Sequence, residues 1–366
     1  MVTSGTRMSL ISADSHVNEP PDVWVDRVPA ELKDRAPRIQ RFDDGDAWVI
    51  EGVADPITFG MNACAGLAPE DMTSWCRFED IRHGGWDPAA RLEEMAQDGV
   101  DAEVLYPTPR LNQAIIANPD VDYHVAMIRA YNDWLSEYVA HAPARFGGLA
   151  VLPSVGAGAA LAEIDRVMDR PGMRGVVIGH YPNGTTSIDA EDDKVWAVLA
   201  ERGLPLSIHV ALNKTMPSAH KAKLPGYGRF FDAPNRMIEL VFDGVFDRHP
   251  ELDVVFAEVD FGWVPYCKEQ IDNNYQRLNA VSRFGLQMLP SEYIERHFHF
   301  GYMTDAFGIR NRHDVGVERI LWSNDYPHIS ADWPNSWRTI QATFSGVPTA
   351  ERQLILAGNA QRLYGF

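Results

Sequence analysis

Eight short apolar runs, rich in β-branched residues, recur along the chain. Each is followed by a polar or Gly/Pro turn and then by a segment of helical periodicity, and this repeat constrains the fold more than any other feature. The runs are Leu10 to Ala13, Ala102 to Tyr106, Phe146 to Leu152, Gly175 to Ile178, Leu204 to His209, Leu252 to Glu258, His297 to Phe300 and Ile320 to Ser323. Helical patterns fall at Pro88 to Asp98, Asp120 to His141, Gly158 to Arg170, Asp192 to Arg202, Pro234 to Arg248, Trp263 to Arg283 and Ser291 to Arg296. Eight strands alternating with helices fit a closed (β/α)8 TIM barrel better than an open sheet. With 366 residues and 45% hydrophobic content, one α/β domain covering the whole chain can bury the core.

One interval breaks the rhythm. The stretch between the first and second strands is far longer than the other connections, and it predicts an insertion at about 26–90 that sits on one face as a lid or subunit contact. The N-terminus lacks an apolar signal region and no run is long enough to span a bilayer, so the expected protein is soluble and cytoplasmic. Cys64, Cys76 and Cys267 are an odd set without C-x-x-C spacing, which excludes a zinc ribbon and argues against a disulfide framework. A net charge of -18 disfavours nucleic acid and anionic membranes, since both require clustered Lys and Arg. A small molecule is the expected partner.

The C-terminal ends of barrel strands carry active sites, and here they carry a coherent set of groups. Asp14 and His16 stand two apart on an extended strand, so both side chains point to one side. Glu19 follows in the turn. Strand five ends in His209, strand six in Glu258, and strand eight is followed by Asn324-Asp325-Tyr326-Pro327-His328. Each alone reads as a turn former, a helix cap or a core histidine. Together they gather ionisable groups at one mouth, where uncompensated burial costs several kcal/mol per charge and divalent cations are the usual compensation.

These residues carry a resemblance. Ala13-Asp14-Ser15-His16-Val17-Asn18-Glu19-Pro20, the strand ending in His209, Phe256-Ala257-Glu258 with Gly262-Trp263-Val264-Pro265-Tyr266, and Ser323-Asn324-Asp325-Tyr326-Pro327-His328 resemble the amidohydrolase-related family. The similarity is to the branch of the amidohydrolase superfamily with aminocarboxymuconate semialdehyde decarboxylase and the aromatic acid decarboxylases, and it spans nearly the whole chain. The resemblance implies a divalent metal held by Asp14, His16, His209 and Asp325, with Asp325 also serving as proton acceptor. The chain departs from that branch at the end of strand six, where Glu258 stands in place of a histidine. The change puts decarboxylation in doubt and supplies a bridging ligand.

Asp14, Glu19, Glu258 and Asp325 beside His16 and His209 exceed the needs of one tetrahedral zinc, so two ions about 3.5–4 Å apart are expected. The oxygen-rich set suits iron or manganese at least as well as zinc. His328 is expected as a further ligand, a partner of a ligand or a substrate contact. Tyr106, His180 and Asn213 are expected at the mouth as substrate contacts. The leading expectation is water activation for hydrolysis, or a related non-redox lyase reaction, on a small organic substrate. The rivals are a dinuclear non-haem iron or manganese monooxygenase and an inert barrel subunit of a hetero-oligomer. A homo-oligomer or a complex with a related barrel subunit is expected.

Overall fold

A computed structural model describes residues 9–209 and 229–366. Eight parallel strands form a nearly closed barrel: β1 (Ile11–His16), β5 (Ala102–Tyr106), β6 (Phe146–Val151), β7 (Met173–Ile178), β8 (Leu206–His209), β9 (Val254–Ala257), β10 (Phe298–Tyr302) and β11 (Ile320–Trp322). They are neighbours in that order, and helices lie between them. The eight expected runs are these eight strands. Their residues are almost all buried because both faces of a parallel sheet are covered, one by the barrel interior and one by helices.

β1 reaches further than the sequence predicts, taking in Asp14, Ser15 and His16. Its register against β5 shifts by one residue between Ser12 and Ser15, a bulge that re-aims the residues within it. β1 and β11 share no paired register among the described residues. Single contacts join them instead: the Asp325 amide donates to Asp14 O (3.0 Å), the His16 amide to Tyr326 O (2.7 Å) and the Asn324 amide to Ser12 Oγ (3.0 Å).

Between β1 and β5 the chain forms a three-stranded antiparallel sheet, β2 (Arg38–Arg41), β3 (Asp46–Val49) and β4 (Ile57–Thr58), with several 3-10 turns. Trp48 of β3 packs edge-on against Trp24 at 5.0 Å, fastening this sheet to the barrel core. Helix α1 (Pro88–Asp98) begins where Asp87 accepts from the Ala89 and Ala90 amides and stops at Gly99, whose φ of 73° suits a residue without Cβ. Next come α2 (Pro109–Ile116), unforeseen because it is only about two turns long and starts at a proline, and α3 (Val121–Ala140). The expected helix Pro234 to Arg248 is two, Arg229–Phe242 and Val245–Arg248, broken at Gly244 with φ 72°. No helix among the described residues is long and apolar enough to cross a membrane.

Candidate metal centre

His16 is fully buried at the end of β1, and its Nδ1 lies 2.9 Å from Pro107 O. A carbonyl can only accept, so Nδ1 donates to it and Nε2 is the ring nitrogen that faces inward. Around that Nε2 stand Asp14 Oδ1 at 3.3 Å, Asp325 Oδ1 at 3.3 Å and His209 Nε2 at 3.2 Å; His209 Nε2 is also 3.5 Å from Asp14 Oδ2. Both Asp14 oxygens and Asp325 Oδ1 are buried yet make no hydrogen bond of acceptable geometry. These donors aim at a shared point rather than at one another. Ligands 2.0–2.1 Å from a tetrahedral ion stand about 3.3–3.4 Å apart, close to the 3.2–3.3 Å that separates His16 Nε2 from Asp14, Asp325 and His209.

The electrostatics agree. Burial pulls the His16 imidazole down, but the Asp14 and Asp325 carboxylates outweigh it and raise it to about 10. Burial pushes Asp325 up, and His328 and His16 reverse this to hold it at about 2. Asp14 is held well below the carboxylate range by His209 and His16 against its own desolvation. A site that draws a proton onto a fully buried imidazole is a site built for positive charge.

The backbone presents two of the carboxylates in an unusual way. Glu258 and Asp325, directly after β9 and near the end of β11, have φ of 58° and 52°, the left-handed region that side chains disfavour and that recurs at functional sites. Glu258 Oε2 lies 3.8 Å from His209 Nε2. His328 Nδ1 lies 3.1 Å from Asp325 Oδ1, and its ring stacks on His16 at 3.8 Å. Two overlapping sets, Asp14/His16/His209 and His16/Asp325/His328, each bring their donor atoms within reach of one ion.

Glu19 is placed apart from these sets. Its Oε1 accepts from the Thr108 amide at 3.0 Å, and it faces a void of about 10 Å³ beside Trp24 and Tyr131. It stands past the end of β1, so strand alternation does not aim it; the Thr108 amide does. Burial pushes its carboxyl pKa up. Tyr106 is fully buried rather than at the mouth: its hydroxyl reaches Ser207 Oγ at 3.1 Å, and its ring supports His209 from 5.2 Å. His180 is buried with Nδ1 3.3 Å from Gly184 O, and is not among the residues lining the cavity above the site. Asn213 lies outside the described residues.

That cavity, about 240 Å³, is floored by Glu258, Asp325 and His328 and walled by Thr58, Met61, Asn62, Ser74 and Arg110. The wall residues went unread because their role depends on how the stretch after β1 folds back. The Ile329 amide donates to Met61 O and the Ala65 amide to Pro327 O, tying that stretch to the loop after β11. Arg110, in the first turn of α2, lines the cavity and makes no ion pair among the described residues.

With this geometry in place, comparison with known proteins is decisive at the level of family. The protein-family profile described as Amidohydrolase matches residues 13–366. The chain belongs to the amidohydrolase family. As an amidohydrolase it is 24% identical to a gamma-resorcylate decarboxylase of Rhizobium sp. (strain MTP-10005) over 82% of its own length and 92% of that protein. Its fold is similar to that of an amidohydrolase from Mycobacterium avium subsp. paratuberculosis K-10, with TM-score 0.77, 20% identity, and 99% and 100% of the two chains covered. It is similar too to a dihydroxybenzoic acid decarboxylase from Polaromonas sp. JS666, solved with manganese and the inhibitor 2-nitroresorcinol: TM-score 0.65, 18% identity, 98% and 97% covered. Two relatives named by activity, the gamma-resorcylate decarboxylase and a 2-amino-3-carboxymuconate-6-semialdehyde decarboxylase of Dictyostelium discoideum, are decarboxylases rather than hydrolases.

Proposed function

We propose that this amidohydrolase is a metal-dependent, non-redox lyase that removes CO2 from a small organic acid. One observation carries the reading: Asp14, His16, His209 and Asp325 gather at the barrel mouth, with both Asp14 oxygens and Asp325 Oδ1 buried without hydrogen bonds, beneath a cavity whose wall holds Arg110, which makes no ion pair among the described residues. The names of the Rhizobium and Polaromonas proteins support the reaction class. In this reading the four side chains hold one divalent ion, which supplies Lewis acidity to the substrate's oxygens. Arg110 attracts an anionic group on the substrate. The stretch 26–90 caps the cavity and keeps water out. When the carbon–carboxylate bond breaks, its electron pair stays on the substrate carbon, and Glu258 delivers the proton that carbon takes up; the carboxyl group recovers its proton through the open side of the cavity, where it is 17% exposed. Asp325 holds a proton acceptor's position beside His16 and His328.

Protein reconstituted with Mn2+, Zn2+ or Fe2+ under argon and offered a panel of hydroxylated benzoates and other small acids tests this by CO2 release. Metal-dependent release without oxygen supports the lyase. A second reading, a dinuclear oxygenase, draws on Glu258 beside His209 and on the buried, unpartnered Nε2 of His328, both surplus to one tetrahedral ion. Strict dependence on oxygen and on iron or manganese, with about two ions per chain, would replace the first reading by the second.

A further inference from the structure

The metal centre straddles the seam of the barrel. Asp14 and His16 stand on β1, Asp325 follows β11, and these two strands share no paired register among the described residues. The separation of His16 Nε2 from Asp325 Oδ1 is therefore not set by a strand ladder, as the separation of neighbouring barrel residues is elsewhere. Only isolated contacts cross the seam there, the Asp325 amide to Asp14 O and the His16 amide to Tyr326 O, so a further anchor on the same carbonyls matters: a shift of a few tenths of an ångström across the seam changes the ligand spacing.

We propose that Arg91, on the outer side of the barrel, is the positioning residue that fixes ligand spacing across this seam. Its guanidinium is fully buried. Nη1 donates to His16 O at 2.9 Å and to Gly84 O at 3.3 Å, and Nη2 donates to Tyr326 O at 3.4 Å. One planar group thus holds the carbonyl of one ligand residue and the carbonyl next to another. Nε donates to Glu103 Oε2 at 2.6 Å, which fixes the plane of the fork from β5, and the guanidinium lies over the Tyr326 ring at 4.4 Å. The Tyr326 hydroxyl donates to Glu94 Oε2, so α1 grips the segment after β11 from two positions one turn apart. A lysine can neutralise Glu103 but is a point donor on a flexible stem and cannot reproduce a rigid fork that serves several acceptors in one plane.

The inference rests on the metal-centre reading, and the experiment separates the two. The Kd for Mn2+ is measured from the signal of free Mn2+ in electron paramagnetic resonance, on wild-type, Arg91→Lys, the charge-neutral double variant Arg91→Gln/Glu103→Gln, and Arg166→Lys as a control. Arg166 makes equally close but partly exposed pairings with Glu163 and Asp133, remote from the seam. The melting temperature of each metal-free protein is read alongside. Arg91→Lys and the double variant should weaken Mn2+ binding by about 10–100-fold, as loss of a group that orients ligands does, while Arg166→Lys lowers the melting temperature and leaves the Kd unchanged. Wild-type Kd values in both Arg91 variants would overturn the proposal and leave the metal centre standing. A wild-type protein that binds no Mn2+ would overturn both.

Discussion

The two ends of the barrel carry similar chemistry arranged to opposite effect. At the C-terminal end, Glu258, Asp325 and His328 line a cavity of about 240 Å³; at the N-terminal end, Asp253, His299, Arg319 and Arg362 line one of about 260 Å³. Cavity size therefore does not distinguish them. At the N-terminal end the groups pair with one another through one atom: His299 Nε2 lies 3.0 Å from Asp253 Oδ1 and 3.0 Å from Arg319 Nη1, while His299 Nδ1 is buried without a hydrogen bond. Burial, aided by the two arginines, lowers the His299 pKa. At the C-terminal end the carboxylate oxygens are left without hydrogen bonds and the His16 pKa rises to about 10. A carboxylate and an arginine paired through one imidazole mark a structural network, and several buried carboxylate oxygens without hydrogen bonds around one imidazole mark a place for a cation.

The largest effect should come from the C-terminal end. Asp325→Asn keeps an oxygen ligand but removes the charge and the proton acceptor, and turnover should fall by about 10²–10⁴-fold. Steady-state assays of metal-loaded protein check this, and a fully active variant would remove Asp325 from the chemistry. Glu258→Gln should fall at the lower end of that range with Mn2+ content retained; loss of one of two ions instead would favour the dinuclear reading.

A pH experiment sharpens the contrast. His16 is raised above the ordinary value of 6.5 to about 10, so it carries a proton in the metal-free protein at pH 8 and must surrender it to bind a metal. Binding of Mn2+ at pH 8 should release about one proton, seen as a dependence of the calorimetric heat on buffer ionisation enthalpy; zero release would contradict the arrangement. By the same sign, the stability that protonated His16 gives the metal-free fold is fully present below pH 6.5 and lost as pH rises through about 10. The smallest effect belongs to the other end. Asp253 is 38% exposed, so solvent screens its pairing, and Asp253→Asn should cost no more than about 1 kcal/mol in denaturant unfolding and leave turnover unchanged. A large loss of activity would give the N-terminal cavity a role.

Much of the ligand geometry was legible in advance. Asp14 and His16 are two apart on a strand, His209 ends β8, and Asp325 closely follows β11; the structure brings Asp14, His209 and Asp325 around His16 because strand ends of a barrel converge. Glu19 was misplaced because it lies beyond β1, where the Thr108 amide rather than strand alternation aims it. Arg110 escaped notice because a lone arginine after a strand has no pattern; only the fold-back of Thr58 to Ser74 makes it part of a cavity.

By itself, then, the sequence determined the eight-strand barrel and which ionisable residues stand at its strand ends. Strands buried on both faces must be written as apolar runs, and alternation within a strand fixes the side on which a residue stands. The tertiary structure alone decided which carboxylates reach the centre, what walls the cavity, and how β1 meets β11. Those depend on contacts such as Arg91 with His16 O and Tyr326 O, and Met61 O with the Ile329 amide. Such contacts join residues far apart in the chain through groups every residue possesses, so no local pattern records them.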